Sequence, residues 1–392
     1  MGGKNTRIKV FIFQTEGTVK YNPGLESILT FLVEAGYDVC YWYLRSEELS
    51  CPEFSIFKAK KLSFLFRKFL AAASRWRIPC FLASRISAIL VGSPARISVG
   101  VDRNGMILAN RYAAVNGIPK AFFSYEIYFD DEVGCDYKRE EIDACQNLSF
   151  AICQDPVRSA ALSRENHIPP SLIINMPVAP LEIANPNYQP GRSREILGIK
   201  QEYVAVFAGS FAQWTMIDDL LDILERWPSN WAFVLRGRVA RDDQIKFAKA
   251  ASYPFTYFQD TDDQDVNAYH SLLRDADVGF AFYKEVPHTL SSGKNISLIG
   301  LSSGKISTYL SQSLPVICNE IGLYNKFLAE YQAGCSVDSV EQVPGLLQGF
   351  NHASLQQMKQ NAYRLYREKL SPLLFRAKIL QQFQIATESS AA

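Results

Sequence analysis

Short apolar runs of strand type alternate with amphipathic helical segments along nearly the whole chain, on both sides of one proline-rich break. In the first half, Arg7 to Phe13 reads as a strand, Leu25 to Ala35 as an amphipathic helix closed by Gly36, and Tyr37 to Tyr43 as the next strand. Strands at Arg96 to Val101, Pro119 to Ser124 and Leu148 to Cys153 follow. Between and after them come a helix through Ala114, a charged helix Asp136 to Asn147 and a helix Asp155 to Asn166. In the second half the strands are Tyr203 to Ala208, Trp231 to Leu235, Phe255 to Phe258, Asp277 to Phe282 and Leu314 to Cys318. The intervening helices are 216–227, 240–251, 265–275 and 305–311. Such alternation builds parallel sheets with crossover helices, so the expected class is α/β with two doubly wound, Rossmann-like domains.

The break runs from Pro177 through Pro180, Pro186 and Pro190 to Gly191, where helix is excluded and few core residues are offered. The expected divisions are a first domain over 1–180, a linker over 181–200, a second domain over 201–350 and a helical tail over 351–392 broken at Pro372. A chain of 392 residues has room for two full cores.

Composition narrows the function classes. A hydrophobic content of 48% with 21% charged residues describes a soluble globular chain, and a net charge of +1 gives no general argument for nucleic acid. No long uncharged apolar run offers a transmembrane helix. Met1 to Thr6 leads straight into the first strand, so neither a signal peptide nor use of the myristoylation pattern that Gly2 and Thr6 match is expected. The eight cysteines include no C-x-x-C pair, and the four histidines lack chelating spacing, so a reduced cytoplasmic protein without a metal is expected. The opening β-α-β lacks G-x-G-x-x-G, so no nicotinamide or flavin cofactor is expected.

Residues 54–101 carry nine Lys or Arg and no acid. Plotted at roughly 100° per residue, Lys60, Lys61, Arg67, Lys68 and Arg75 fall on one helix face, with Leu62, Leu65, Phe66, Phe69, Ala73 and Trp76 opposite. The segment 58–77 is therefore expected as a basic helix. It is either a solvated face docked to the sheet or a surface for an anionic membrane, with Phe64 protruding.

Candidate site residues gather at the carboxyl ends of the strands, where open α/β sheets bind ligands. In the first domain these are Asp102 and Glu126, with Gly17 and Gly24 in the turn region after the first strand. In the second, Gly209-Ser210 follows the first strand, and a glycine there allows close backbone approach. Arg236-Gly237-Arg238 supplies fork donors after the second strand. Ser302-Ser303-Gly304-Lys305 opens the helix before the last core strand. A helix tip with bare amides and a Lys beside them is an anion site. Tyr257 lies where a base could rest, and Asn295 sits in the loop ahead of that helix. Asp260-Thr261-Asp262 has the form of a metal clamp but precedes a helix, where capping is the expected role. His288 is a loop histidine within reach of sugar hydroxyls.

The order of elements resembles a GT-B glycosyltransferase of the large family-4 type. Tyr203-Val204-Ala205-Val206-Phe207-Ala208-Gly209-Ser210 is similar to that family's first strand and glycine turn in the second domain. The stretch from Ser302 through Leu310 and Leu314-Pro315-Val316-Ile317 is similar to its "SPNKLFEYLAAGLPVI" block. The resemblance implies two Rossmann-like domains facing a cleft, with the C-terminal helix crossing back to the first. It also implies that Ser303, Gly304 and Lys305 contact a donor diphosphate, with a sugar passing from a nucleotide sugar to a hydroxyl at retained configuration and without a metal. The acceptor would be a glycan, a lipid-linked glycan or a small molecule, in polysaccharide or glycoconjugate synthesis. The chain departs from the pattern where Thr308 and Gly300 replace glutamates, Trp214 replaces a phosphate-binding lysine, and Glu126 stands near the place of a catalytic histidine. These departures leave two further readings open, a non-catalytic binder of nucleotides or glycans and a nucleotide-sugar epimerase using Asp102 and Glu126.

Overall fold

A computed structural model describes residues 7–15, 19, 22–45, 57–75, 80–92, 94–182, 188–237, 244–259, 266–287, 289 and 292–388. Gly17, Arg238, Asp260, Thr261, Asp262 and His288, all singled out above, lie outside these residues. The chain divides into two compact units, one of residues 1–178 with 372–392 and one of residues 179–371.

The first unit holds a seven-stranded parallel sheet in the order β3-β2-β1-β4-β5-β6-β7. Its strands are β1 (Lys9–Gln14), β2 (Asp38–Tyr43), β3 (Lys58–Lys61), β4 (Ile97–Val101), β5 (Lys120–Phe123), β6 (Phe150–Cys153) and β7 (Ile173–Asn175). One core layer packs the helix Pro23–Glu34 and the helix Arg376–Glu388 against the sheet, where Phe383 meets the rings of Phe123 and Phe150. The other layer packs the helices Phe64–Arg75, Cys80–Val91 and Asp102–Asn116 around Phe11, Phe13, Trp42 and Tyr112.

The second unit holds a six-stranded parallel sheet in the order β10-β9-β8-β11-β12-β13. Its strands are β8 (Tyr203–Ala208), β9 (Trp231–Arg236), β10 (Thr256–Gln259), β11 (Val278–Ala281), β12 (Val316–Cys318) and β13 (Gly334–Ser336). β8, β9 and β11 are buried throughout, which is why they read as continuous apolar runs without alternation. Each strand order reverses once, between β1 and β4 and between β8 and β11, and such a reversal opens a crevice at the carboxyl edge.

Several expectations are corrected. The basic helix over 58–77 is a strand followed by a helix: Lys60 and Lys61 belong to β3, paired with Trp42 and Tyr43 of β2, and the helix begins at Phe64. An edge strand rich in lysine resists pairing with a second chain, and that suits Lys58, Lys60 and Lys61 better than a helix face does. The helix expected at 216–227 is broken into Ile217–Asp222 and a 3₁₀ turn Leu224–Arg226. The linker is partly structured, because Asp275 accepts from the Tyr188 hydroxyl and from the amides of Gly191 and Ser193, at the start of the helix Arg192–Leu197. The tail is shared between the units. His352–Leu365 and the wide turn Tyr366–Leu370 pack on the second unit's core through Ala362, Leu365, Tyr366 and Leu370, and the helix after Pro372 belongs to the first.

Candidate functional site

In the second unit, the strand ends beside the reversal bring three turns together. β8 ends in Gly209, whose φ of +127° lies where side chains are strained; a Cβ there would sit 3.1 Å from Lys305 Cε. β9 ends in Arg236 and Gly237, and a Cβ on Gly237 would lie 2.4 Å from the Gly209 carbonyl oxygen. The two glycines therefore let the turns after β8 and β9 touch backbone to backbone. Between β11 and β12 the helix Gly304–Ser311 points its first turn at the same edge.

That helix tip is firmly held. Ser303 is its N-cap, accepting from the Ile306 amide at 3.4 Å, and its hydroxyl lies 2.6 Å from the Tyr283 hydroxyl. The Tyr324 hydroxyl donates to the Ser303 carbonyl. The Tyr309 hydroxyl accepts from the Ala208 amide at 2.8 Å, which ties the helix to the end of β8. With Ser303 serving Ile306, helix geometry leaves the amides of Gly304 and Lys305 without an intrahelical acceptor. The backbone of Tyr283, just past β11, is clamped by Asn319, which accepts from its amide and donates to its carbonyl. Tyr283 in turn stacks on Trp214 at 9° between planes.

Lys305 is the unusual group. As a residue it is half-buried, but its Nζ is sealed from water and has no hydrogen-bond partner among the described residues. The amine lies 3.9 Å from the centroid of the Phe207 ring and 5.8 Å from that of Tyr283. Burial alone pushes its pKa down to about 7. An amine placed over aromatic faces without a counter-ion is poorly compensated, and an anion arriving at the tip would supply what is missing.

The remaining donor-side residues divide. Gly209 and Ser210 are exposed at the edge. Arg236 is buried, with its guanidinium over the Tyr269 ring at 4.8 Å. Ser302 turns its hydroxyl back onto the Ile299 carbonyl, and Ser303 is a buried cap, so both hydroxyls already serve the backbone. Thr308 is half-buried in the second turn, and Asn295 is buried in the short helix Lys294–Ser297. Tyr257 is half-buried, packs one side on the core and donates its hydroxyl to Gln201.

In the first unit, Asp102 follows β4 and is half-buried. Its Oδ1 accepts the amides of Tyr125 at 2.7 Å and Glu126 at 2.9 Å, and burial raises its pKa to about 6. Arg158 donates to the Tyr125 carbonyl, and Gln154 donates to that of Ser124. The loop carrying Glu126 is therefore fixed from three sides, and Asp102 acts on it as a brace. Glu126 itself is half-buried. Gly24 is explained by packing, since a Cβ there would meet the Val178 Cα at 3.3 Å and the Tyr125 ring at 3.5 Å.

Tyr283, Phe207 and Asn319 are not among the residues the sequence singles out, whereas Trp214 is, in the place of a phosphate-binding lysine. The only sequence signal of the first three is position, each standing at or just past a strand end.

Residues 298–383 match the family described as "Glucosyltransferase 3-like, C-terminal domain", a span that includes the helix tip. No curated protein matches the sequence. Among solved structures, HepE of Anabaena in complex with UDP-glucose is 9% identical with a TM-score of 0.73, over 96% of this chain and 100% of that one. Sucrose-phosphate synthase of Thermosynechococcus elongatus is 13% identical at 0.66, over 98% and 100%. WaaG, a glycosyltransferase of lipopolysaccharide biosynthesis, is 15% identical at 0.60, over 95% and 99%. The chain has the GT-B fold. Within GT-B, the helix tip with Lys305 belongs to the second Rossmann-like unit, at the reversal of its strand order.

Proposed function

We propose that this GT-B protein is a glycosyltransferase, moving a sugar from a nucleoside diphosphate donor to a hydroxyl acceptor. The observation that carries the reading is the Lys305 amine, buried without a hydrogen-bond partner among the described residues beside two bare helix amides at the reversal of the second sheet. The diphosphate would lie over Gly209, against the amides of Gly304 and Lys305, with the Lys305 side chain turning toward it. Arg236, in the neighbouring turn, adds a second positive charge. As the bond between the anomeric carbon and the diphosphate oxygen breaks, negative charge grows on the leaving group, and fixed donors aimed at that charge lower the barrier. The acceptor oxygen bonds to the anomeric carbon and gives up its proton, and family likeness favours retained configuration. No step needs a resident metal in this reading. Glu126, held on its braced loop, is the acid–base candidate on the first unit.

Non-catalytic nucleotide binding is the second reading, favoured by Thr308 standing where the family pattern has a glutamate. Epimerase chemistry is weaker, because Oδ1 of one of its two carboxylates, Asp102, is engaged by backbone amides.

The test is to incubate the purified protein with a panel of nucleotide sugars and simple glycoside acceptors. Release of nucleoside diphosphate together with a new glycoside supports transfer. Tight binding with neither hydrolysis nor transfer overturns it in favour of the binder, and an epimerised donor formed without acceptor overturns it in favour of the epimerase.

A further inference from the structure

The first unit carries a second basic site, remote in sequence from the helix tip. An open cavity of about 550 Å³ lies between the end of β3 and the helices Phe64–Arg75 and Cys80–Val91, lined by Trp42, Lys60, Lys61, Ser63, Phe66 and Leu90 among others. Both lysines are exposed, and Lys60 Nζ stands 5.6 Å from the Trp42 ring centroid. Trp42 is only 6% exposed, and its Nε1–H has no hydrogen-bond partner among the described residues. The cavity thus presents two ammonium groups, an aromatic ring and a hydroxyl. The acid adjacent in the sheet, Asp38, is already paired with Lys58.

The surroundings of this cavity are apolar and exposed. Phe64 and Leu65 follow Ser63 with 58% and 70% of their surface open, and Ile89 and Leu90 on the second helix are 83% and 41% open. Lys68 sits 4.4 Å from the Phe64 ring centroid, and no acid occurs anywhere in residues 54–101. A soluble phosphate would gain nothing from those side chains, whereas a lipid surface meets both halves, headgroup in the basic cavity and acyl boundary against the apolar rim. We infer that the end of β3 and these two helices form a docking surface for an anionic phospholipid membrane, with one phosphate headgroup seated between Lys60, Lys61 and Trp42. This inference does not depend on the proposed transfer reaction.

Co-sedimentation with vesicles tests it. The protein should pellet with vesicles containing phosphatidylglycerol, less so as salt rises, and stay in solution with phosphatidylcholine alone. At about fivefold per lysine near an anionic surface, Lys60→Ala/Lys61→Ala should weaken partitioning about 25-fold. Leu65→Ser/Ile89→Ser should also release it while keeping the wild-type circular dichroism, and it serves as the second variant if the lysine pair disturbs the sheet edge. Millimolar glycerol phosphate should fail to displace the protein. The inference is overturned if the wild type ignores phosphatidylglycerol, if it binds phosphatidylcholine equally, if both variants bind undiminished, or if glycerol phosphate competes. It also fails if the vesicles are ignored and the apolar variant instead dissociates a dimer.

Discussion

The two sheets reverse their strand order in the same way, yet the polar groups at the two reversals are used differently. After β4, the Asp102 carboxylate is spent on the protein's own amides, and Arg158 and Gln154 complete the satisfaction of that loop. Beside β8, Lys305 has no such partner among the described residues, and the chain keeps Gly209 bare over it. One reversal is closed by internal hydrogen bonds, and the other is left incomplete. The proposed function has a ligand supply the missing charge at the incomplete one, while the closed one holds the loop that carries Glu126.

The largest test of that contrast removes the internal partner. Asp102→Ala leaves two enclosed amides unpaired, and at ~1–3 kcal/mol each it should destabilise the protein by about 4 kcal/mol. A lowered denaturation midpoint checks this, and an unchanged midpoint would show that Asp102 is free for other work. Lys305→Ala should leave the midpoint unchanged or raise it, since the Phe207 and Tyr283 rings compensate the buried amine only in part.

A smaller effect, of opposite sign at the two levels, follows from pH. The Lys305 amine titrates near 7 in the folded protein, below its ordinary value of 10.5. Between those values the unfolded chain holds the proton and the folded one does not. Stability therefore rises with pH in that window, by up to about 1.4 kcal/mol per unit. A diphosphate needs the ammonium, so its affinity should fall by up to about tenfold per unit above pH 7. Thermal melts and nucleotide titrations between pH 7 and 9 should move in opposite directions. Parallel trends would separate Lys305 from the ligand.

Much of this was legible in the sequence. The doubled alternation carried the fold because fully buried parallel strands must be continuous apolar runs, and the stretch from Ser302 to Ile317 carried the helix tip because cap, glycine and lysine are neighbours in the chain. What could not be read depends on partners distant in sequence. Tyr283 reaches Ser303 across 20 residues, Tyr309 reaches Ala208 across 101, and Asn319 clamps Tyr283 across 36. The lysines at 60 and 61 were misplaced because a lysine-rich edge strand has no apolar alternation to reveal it, and only pairing with β2 decides its form. Strand periodicity likewise does not say that Gln201 takes the Tyr257 hydroxyl.

The most direct measurement is calorimetric titration of each common nucleoside diphosphate in turn into the wild type and into Lys305→Ala at pH 6.5. The account predicts saturable binding by the wild type and a loss of about a hundredfold in the variant, as for removal of one fixed charge donor. Equal affinity in the two proteins would contradict it.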